Sequence, residues 1–179
     1  MSDPGNDKLR KIFDRQQQAQ RKDLAGEYPG NDGFQVILLL LFLAIWITDS
    51  FFFKMTTFLA KYVPLLVRLV VGAAILYMWA YLMKAGTSIV FGEERPKPEV
   101  IRKGPFAYVR HPIYLASILF YLGLSCFTLS LASFAVTLLS AVYYNVAAAY
   151  EEKLLTGIYG DDYKQYMSEV PRWLPKIGK

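Results

Sequence analysis

A chain of 179 residues suffices for one domain, and 54% of it is hydrophobic, with the apolar residues gathered into runs rather than scattered; that composition points to a membrane protein. One cysteine, Cys126, excludes an internal disulfide, and a single histidine leaves no cluster for a zinc or iron site. The net charge of +5 is parcelled between apolar runs, which argues for membrane topology and against a nucleic-acid surface.

Residues 1–33 are polar and glutamine-rich ("DRQQQAQRKD") and lack the apolar core of a signal peptide. They read as a cytoplasmic segment, either an interfacial helix or a disordered one. Residues 34–53, "FQVILLLLFLAIWITDSFFF", and 62–83, "YVPLLVRLVVGAAILYMWAYLM", each have the length that crosses a hydrocarbon core. Together 34–83 form a two-helix membrane unit. The remainder, 84–179, reads as a cytoplasmic loop, a helical hairpin over 112–150 and a C-terminal cytoplasmic cap. Residues 112–150 carry no charge. As one helix they would be nearly twice the bilayer core in length, so they must fold back near Thr128, Leu129 and Ser130. Spans 112–129 and 131–150 result. The small residues Ala116, Ser117, Gly123 and Ser125, facing Ser133, Ala135, Ser140 and Ala141, would let these two helices approach closely.

Lysine and arginine alternate by connection. Residues 1–33 hold six, the first connection only Lys54 and Lys61, residues 84–111 six, the hairpin turn none and the tail five. The positive-inside rule places both termini and the 84–111 loop in the cytoplasm. The expected fold is therefore all-α: a multi-pass integral membrane protein of four transmembrane helices with a C-terminal helical hairpin. Two charges fall inside the spans. Asp49 and Arg68 both lie toward the outer leaflet, where they should face each other or a polar cavity; an ion pair or a snorkelling arginine is the plainer reading.

The chemistry-bearing residues converge on the cytoplasmic face. Pro112 opens the third span, a favoured first helical position. The free N–H groups and positive dipole end there would attract an anion, with Arg110 and His111 adding donors. Glu151 and Glu152 leave the membrane at the same depth, because a hairpin brings its ends together. One pocket would then present donors on one wall and carboxylates on the other, which suits a zwitterionic ligand. Phe106, Tyr108, Tyr114, Tyr143, Tyr144 and Tyr150 offer flat surfaces for a ring or a cation.

"GPFAYVRHPIYLA", followed after the hairpin by "EEKLLTGIYGDDYKQYMSEVPRWLP", resembles the isoprenylcysteine carboxyl methyltransferase family, itself related to the membrane phospholipid N-methyltransferases. The likeness covers roughly residues 95–175. It adds to the expected fold a cofactor pocket on the cytoplasmic side. It implies transfer of a methyl group from S-adenosyl-L-methionine to a lipophilic or prenylated acceptor at the cytoplasmic face, with the bilayer as the other partner and neither metal nor nucleic acid. It implies that Pro98, Glu99, Val100 and Ile101 line the cofactor through backbone groups and that Phe106 stands in for a family tyrosine. Arg110, His111, Pro112, Ile113 and Tyr114 match the cofactor-binding stretch, and Glu151 and Glu152 match the acidic pair. Ala116 replaces a family glycine. "NVAAAY" offers only Asn145 where the eukaryotic enzymes carry arginines for the acceptor carboxylate. The favoured activity is O-methylation of a carboxylate. Methylation of a phospholipid or other lipid nitrogen is an alternative, in which Glu151 or Glu152 would serve as base. An NADPH-dependent sterol reductase and a non-catalytic lipid-binding protein are the rivals outside methyl transfer.

Overall fold

The computed structural model describes residues 31–92 and 99–175. The expectation for residues 1–30 and the assignment of Pro98 lie outside the described residues. Regular structure within them is helical throughout: α1 (Asn31–Ile47), α2 (Leu65–Phe91), α3 (Pro112–Thr128), α4 (Leu131–Tyr159) and α5 (Asp161–Glu169). A π-helical turn, Thr48–Phe53, continues α1, and 3₁₀ turns occupy Phe58–Lys61 and Gly104–Ala107. Gly33–Phe53, Leu65–Phe91 and Leu131–Tyr159 are long and apolar enough to cross a membrane, and Pro112–Thr128 is a shorter apolar helix.

Two helices differ from the sequence expectation in their boundaries. Helix α2 starts after Pro64, whose ring cannot donate inside a helix. It then runs to Phe91, eight residues beyond the expected end, because nothing in "KAGTSIVF" breaks it before Gly92. Helix α4 continues past Tyr150 through Glu151 and Glu152 to Tyr159 and stops at Gly160, whose φ of +57° suits glycine. The acidic pair therefore stands on a rigid helix rather than at a fraying end.

The reversal between α3 and α4 falls at the expected place. Leu129 takes a left-handed conformation (φ +51°) and its N–H donates to Ser125 O at 2.8 Å. Ser130 then caps α4, its hydroxyl accepting from Ser133 N at 3.1 Å. The hydroxyls of Ser125 and Thr137 pair at 3.3 Å near this turn, and Tyr114 donates to Glu151 at the other end, so α4 runs back along α3.

Asp49 and Arg68 do not pair with each other. Arg68 Nη1 donates to Phe127 O at 2.9 Å, at the C-terminal end of α3. Asp49 accepts from Ser130 Oγ and from the backbone and hydroxyl of Thr56, at the N-terminal end of α4. Thr56 in turn accepts from the first amides of α4, Leu131 N to its carbonyl at 3.2 Å and Ala132 N to its hydroxyl at 3.0 Å. Buried Asp49 and half-buried Arg68 thus each sit at the helix end of opposite partial charge, where orphan backbone groups supply partners.

Helices α2 and α3 approach closely at Gly72 and Gly123. A Cβ on Gly123 would stand 2.7 Å from Leu76 Cδ2 and 3.3 Å from Gly72 O, and one on Gly72 would meet the Phe127 ring at 2.4 Å. The small residue Gly123 therefore serves the α2 contact, correcting its expected role in the α3–α4 interface. We expect Gly123→Leu to lower thermal stability by about 1–3 kcal/mol, since overpacking here forces two helix backbones apart. Thermal unfolding in detergent, with Gly157→Ala as a control at a position with open space around it, measures this.

Helix α1 lies against α4 and α3. Leu38 and Phe42 share a buried cluster with Tyr114, Tyr121, Val136, Tyr144, Ala147 and Ala148. Helix α5 folds under the end of α4, where Tyr163, Tyr166 and Val170 form a second cluster.

Candidate functional site

His111, Arg110 and Tyr114 are set by the start of α3. The Gly104–Ala107 turn, with Pro105 buried in it, delivers the chain to His111, the residue before Pro112. Arg110 is fixed through its backbone as well, its N–H donating to Pro171 O at 3.0 Å. On the facing helix, Asn145 and Glu152 are seven residues apart and so lie on one face.

Glu152 is the centre of the cluster, with its side chain 8% exposed. Arg110 Nε donates to its Oε1 at 2.9 Å, His111 Nε2 at 3.2 Å and Arg172 Nε at 3.0 Å, while Arg172 Nη2 donates to Oε2. Arg110 Nη1 also donates to Met167 O at 2.9 Å and Val170 O at 2.7 Å, tying the end of α5 to the start of α3. Glu151 accepts from the Tyr114 hydroxyl and lies 3.6 Å from His111 Nδ1. The His111 ring is stacked over Tyr114, 5.7 Å between centroids, and Trp173 approaches it at 6.1 Å.

The predicted donors and acids are therefore brought together, but not as opposite walls of a pocket. Arg110 and His111 bond to Glu152 directly, because a buried carboxylate needs charged or hydrogen-bonded partners. Asn145 also reaches the C-terminal segment. Its Oδ1 accepts from Arg172 Nη1 at 3.0 Å and from Trp173 Nε1 at 3.1 Å, so it holds the C-terminal segment over the site.

The other predicted cofactor residues are more dispersed. Glu99 is exposed, Val100 packs against the Tyr163 cluster and Ile101 is half-buried. Phe106 contributes its carbonyl, which accepts from Tyr166 OH at 2.7 Å. Tyr108 is 66% exposed. Pro112 is fully buried, and Ile113 packs against Gly86 of α2.

Two residues of the site were not singled out by sequence, Arg172 and Trp173. The signal for them is "VPRWLP", in which prolines on both sides favour an extended strap. Arg102 fastens the connection before α3 to α5 in a comparable way, donating to Asp162 and to Glu169.

Burial pushes the His111 imidazole below its ordinary pKa of 6.5; hydrogen bonding to Glu152 and its charge pull the other way, and the charges of Arg110 and Arg172 add to the depression. The ring is then neutral at pH 7 and donates from Nε2. An unfolded chain takes up this proton near pH 6.5, whereas the folded chain does so only at lower pH. Stability is therefore full above about pH 7.5 and falls as pH drops through 6.5 toward the folded value. Since His111 is the chain's only histidine, thermal midpoints measured between pH 7.5 and 5.5 should show this slope in the wild type. It should be lost in His111→Gln.

The groups gathered here are those that a small zwitterion bearing a ring would call on. They are two carboxylates, an imidazole whose Nδ1 accepts, a helix N-terminus and stacked aromatic faces. The family sequence model for phospholipid methyltransferases matches residues 59–162, more than half of the chain. The protein-S-isoprenylcysteine O-methyltransferase of Schizosaccharomyces pombe is 31% identical over 100 residues, 54% of this chain and 42% of that protein. Methanethiol S-methyltransferase of Crocosphaera subtropica is 32% identical over 74 residues, 41% of this chain and 28% of that protein. Methanethiol S-methyltransferase 1 of Bradyrhizobium diazoefficiens is 32% identical over 89 residues, 50% of this chain and 30% of that protein. The chain thus spans less than half the length of these curated relatives. The family match takes in α2, the start of α3 with Arg110, His111 and Tyr114, and α4 with both glutamates; the chain belongs to the phospholipid methyltransferase family.

Proposed function

We propose that the protein is an integral membrane methyltransferase that uses S-adenosyl-L-methionine to methylate a lipophilic acceptor at the cytoplasmic face. In this reading α1 to α4 all cross the bilayer, both termini are cytoplasmic, and the His111–Glu152 end of the α3–α4 pair faces the cytosol. The observation that carries the proposal is the convergence of Arg110, His111, Tyr114, Glu151 and Glu152 within hydrogen-bonding range, on residues the family match covers.

The donor set suits the cofactor. Glu151, Glu152 and the accepting Nδ1 of His111 would hold its ammonium, the first turn of α3 its carboxylate, and Tyr114 and Phe106 its flat parts. When bound, the cofactor supplies a methyl group activated by a sulfonium. What the chain contributes is alignment and exclusion of water, since a displacement of this kind needs a nucleophile held behind the methyl carbon and little else. A rigid α4, carrying Asn145, Glu151 and Glu152 on one continuous helix, supplies that positioning. A carboxylate or thiolate acceptor needs no general base at neutral pH.

O-methylation of a prenylcysteine-like carboxylate is the favoured reaction. S-methylation of a thiol is a second reading, supported by the two relatives named for methanethiol. The test is to incubate membranes containing the protein with methyl-labelled S-adenosyl-L-methionine and fractionate the extracted lipids and volatile products. A label released by mild alkali marks a methyl ester; an alkali-stable volatile label marks a thioether. No label above membranes lacking the protein, for any acceptor class, would remove the proposal.

A further inference from the structure

The seat that a ligand's ammonium would take on Glu152 is filled by the chain itself. Of the three side chains on that carboxylate, Arg172 makes the two-point contact, Nε to Oε1 and Nη2 to Oε2. It is also the most exposed of them, at 27% against 11% for Arg110 and 6% for His111.

The three donors are anchored differently. Arg110 is held by its own backbone bond to Pro171 and by two further carbonyls, so it cannot leave without opening the junction of α3 and α5. His111 is fixed by the start of α3. Arg172 sits on an irregular strap. Among the described residues, no backbone hydrogen bond is made by residues 172–175, and the polar ties of that stretch are the side-chain bonds of Arg172 and Trp173 to Glu152 and Asn145. Upstream the chain is clamped by Arg110 at Met167, Val170 and Pro171. The strap therefore has a fixed root at Pro171; beyond it Trp173 packs against the buried cluster, and the polar ties run to one glutamate and one asparagine. Leu174 in the strap is 76% exposed.

We infer that residues 172–175 form a latch in which Arg172 is a displaceable counter-ion: a cationic amine reaches Glu152 by replacing the Arg172 guanidinium and swinging the strap outward about Pro171. This rests on the reading of the site as one that takes S-adenosyl-L-methionine, and deepens it by assigning Arg172 a part that competes with the ligand rather than binding it. Net charge on Glu152 is conserved in the exchange, since one cation leaves as another arrives. Arg110 and His111 keep the carboxylate in place throughout. The freed guanidinium then stands at the mouth of the site, next to Asn145.

Two measurements on the full-length protein test this. The first is limited trypsin digestion, read by mass spectrometry as release of the peptide that begins at Trp173. Cleavage after Arg172 should be slow in the wild type, faster on saturation with S-adenosyl-L-methionine, and fast without it in Glu152→Gln. In Asn145→Ala, which removes one tether without changing charge, the rate should be intermediate. The second is equilibrium binding of S-adenosyl-L-methionine to Arg172→Gln, which should be about tenfold tighter than wild type, because the competent state no longer has to displace its own arginine.

Weaker or equal binding by Arg172→Gln overturns the latch and makes Arg172 part of the ligand site or a mere brace. Cleavage that the ligand slows, or that neither Glu152→Gln nor Asn145→Ala accelerates, overturns it as well. If wild type and Arg172→Gln both fail to bind the cofactor, the proposed function falls instead. The digestion of the two unliganded variants still decides whether the strap hangs on Glu152 and Asn145.

Discussion

Glu152→Ala should cost about 3–5 kcal/mol of stability, enough to leave much of the protein unfolded or unassembled at 37 °C. The reason is what the substitution leaves behind. Arg110 and Arg172 converge on this carboxylate from two parts of the chain, and His111 donates to the same oxygen as both. Without it two guanidiniums face each other in a half-buried space without the carboxylate between them, and Arg110 loses its side-chain tie to α4. Glu152→Gln keeps the shape and one acceptor oxygen, so its loss should be smaller. Glu151→Ala should also cost less, because that side chain is more exposed, 18% against 8%. Thermal unfolding of the purified protein in one detergent orders the three variants. A loss below about 1 kcal/mol for Glu152→Ala would reduce the cluster to a surface ion pair.

The second large effect is expected at the opposite end of the molecule. Asp49→Ala should lower stability by roughly 2 kcal/mol, the cost of leaving buried donors unpaired. Asp49 gathers Thr56 and Ser130, and through them the connection after α1 and the first turn of α4. The same variant should keep cofactor affinity within about twofold of wild type, because its contacts lie at the other end of α3 and α4 from His111. A folded Asp49→Ala protein that no longer binds S-adenosyl-L-methionine would move this carboxylate into the functional machinery. The two readouts together separate a staple from a site.

These residues also mark where the sequence could and could not be read. The reversal at Thr128–Ser130 was legible because an uncharged run of that length cannot be one span, and the chain offers a serine cap there. The pairing of His111 with the acidic pair followed from that reversal alone, since folding back brings the two ends of the run together. The partners of Asp49 and Arg68 were not legible. Charge complementarity suggests that they meet, yet helix termini provide stronger and nearer partners, and only the placement of α3 and α4 decides between them. The extension of α4 past Tyr150 was hidden because Glu151 and Glu152 look like the end of a span, although "AAAYEEKLL" is made of good helix formers. Arg172 was read as one more positive charge in the tail. Its partners lie 20 and 27 residues upstream on α4, a separation that no local pattern reports.

Equilibrium binding of labelled S-adenosyl-L-methionine to the purified protein tests the central claim most directly, with His111→Ala and Asp49→Ala measured beside the wild type. The account predicts saturable binding to the wild type, retained in Asp49→Ala and weakened at least about tenfold in His111→Ala, the loss of about 1.4 kcal/mol expected when a buried hydrogen-bonding partner is removed. No saturable binding to folded wild-type protein, or equal affinity in His111→Ala, would contradict it.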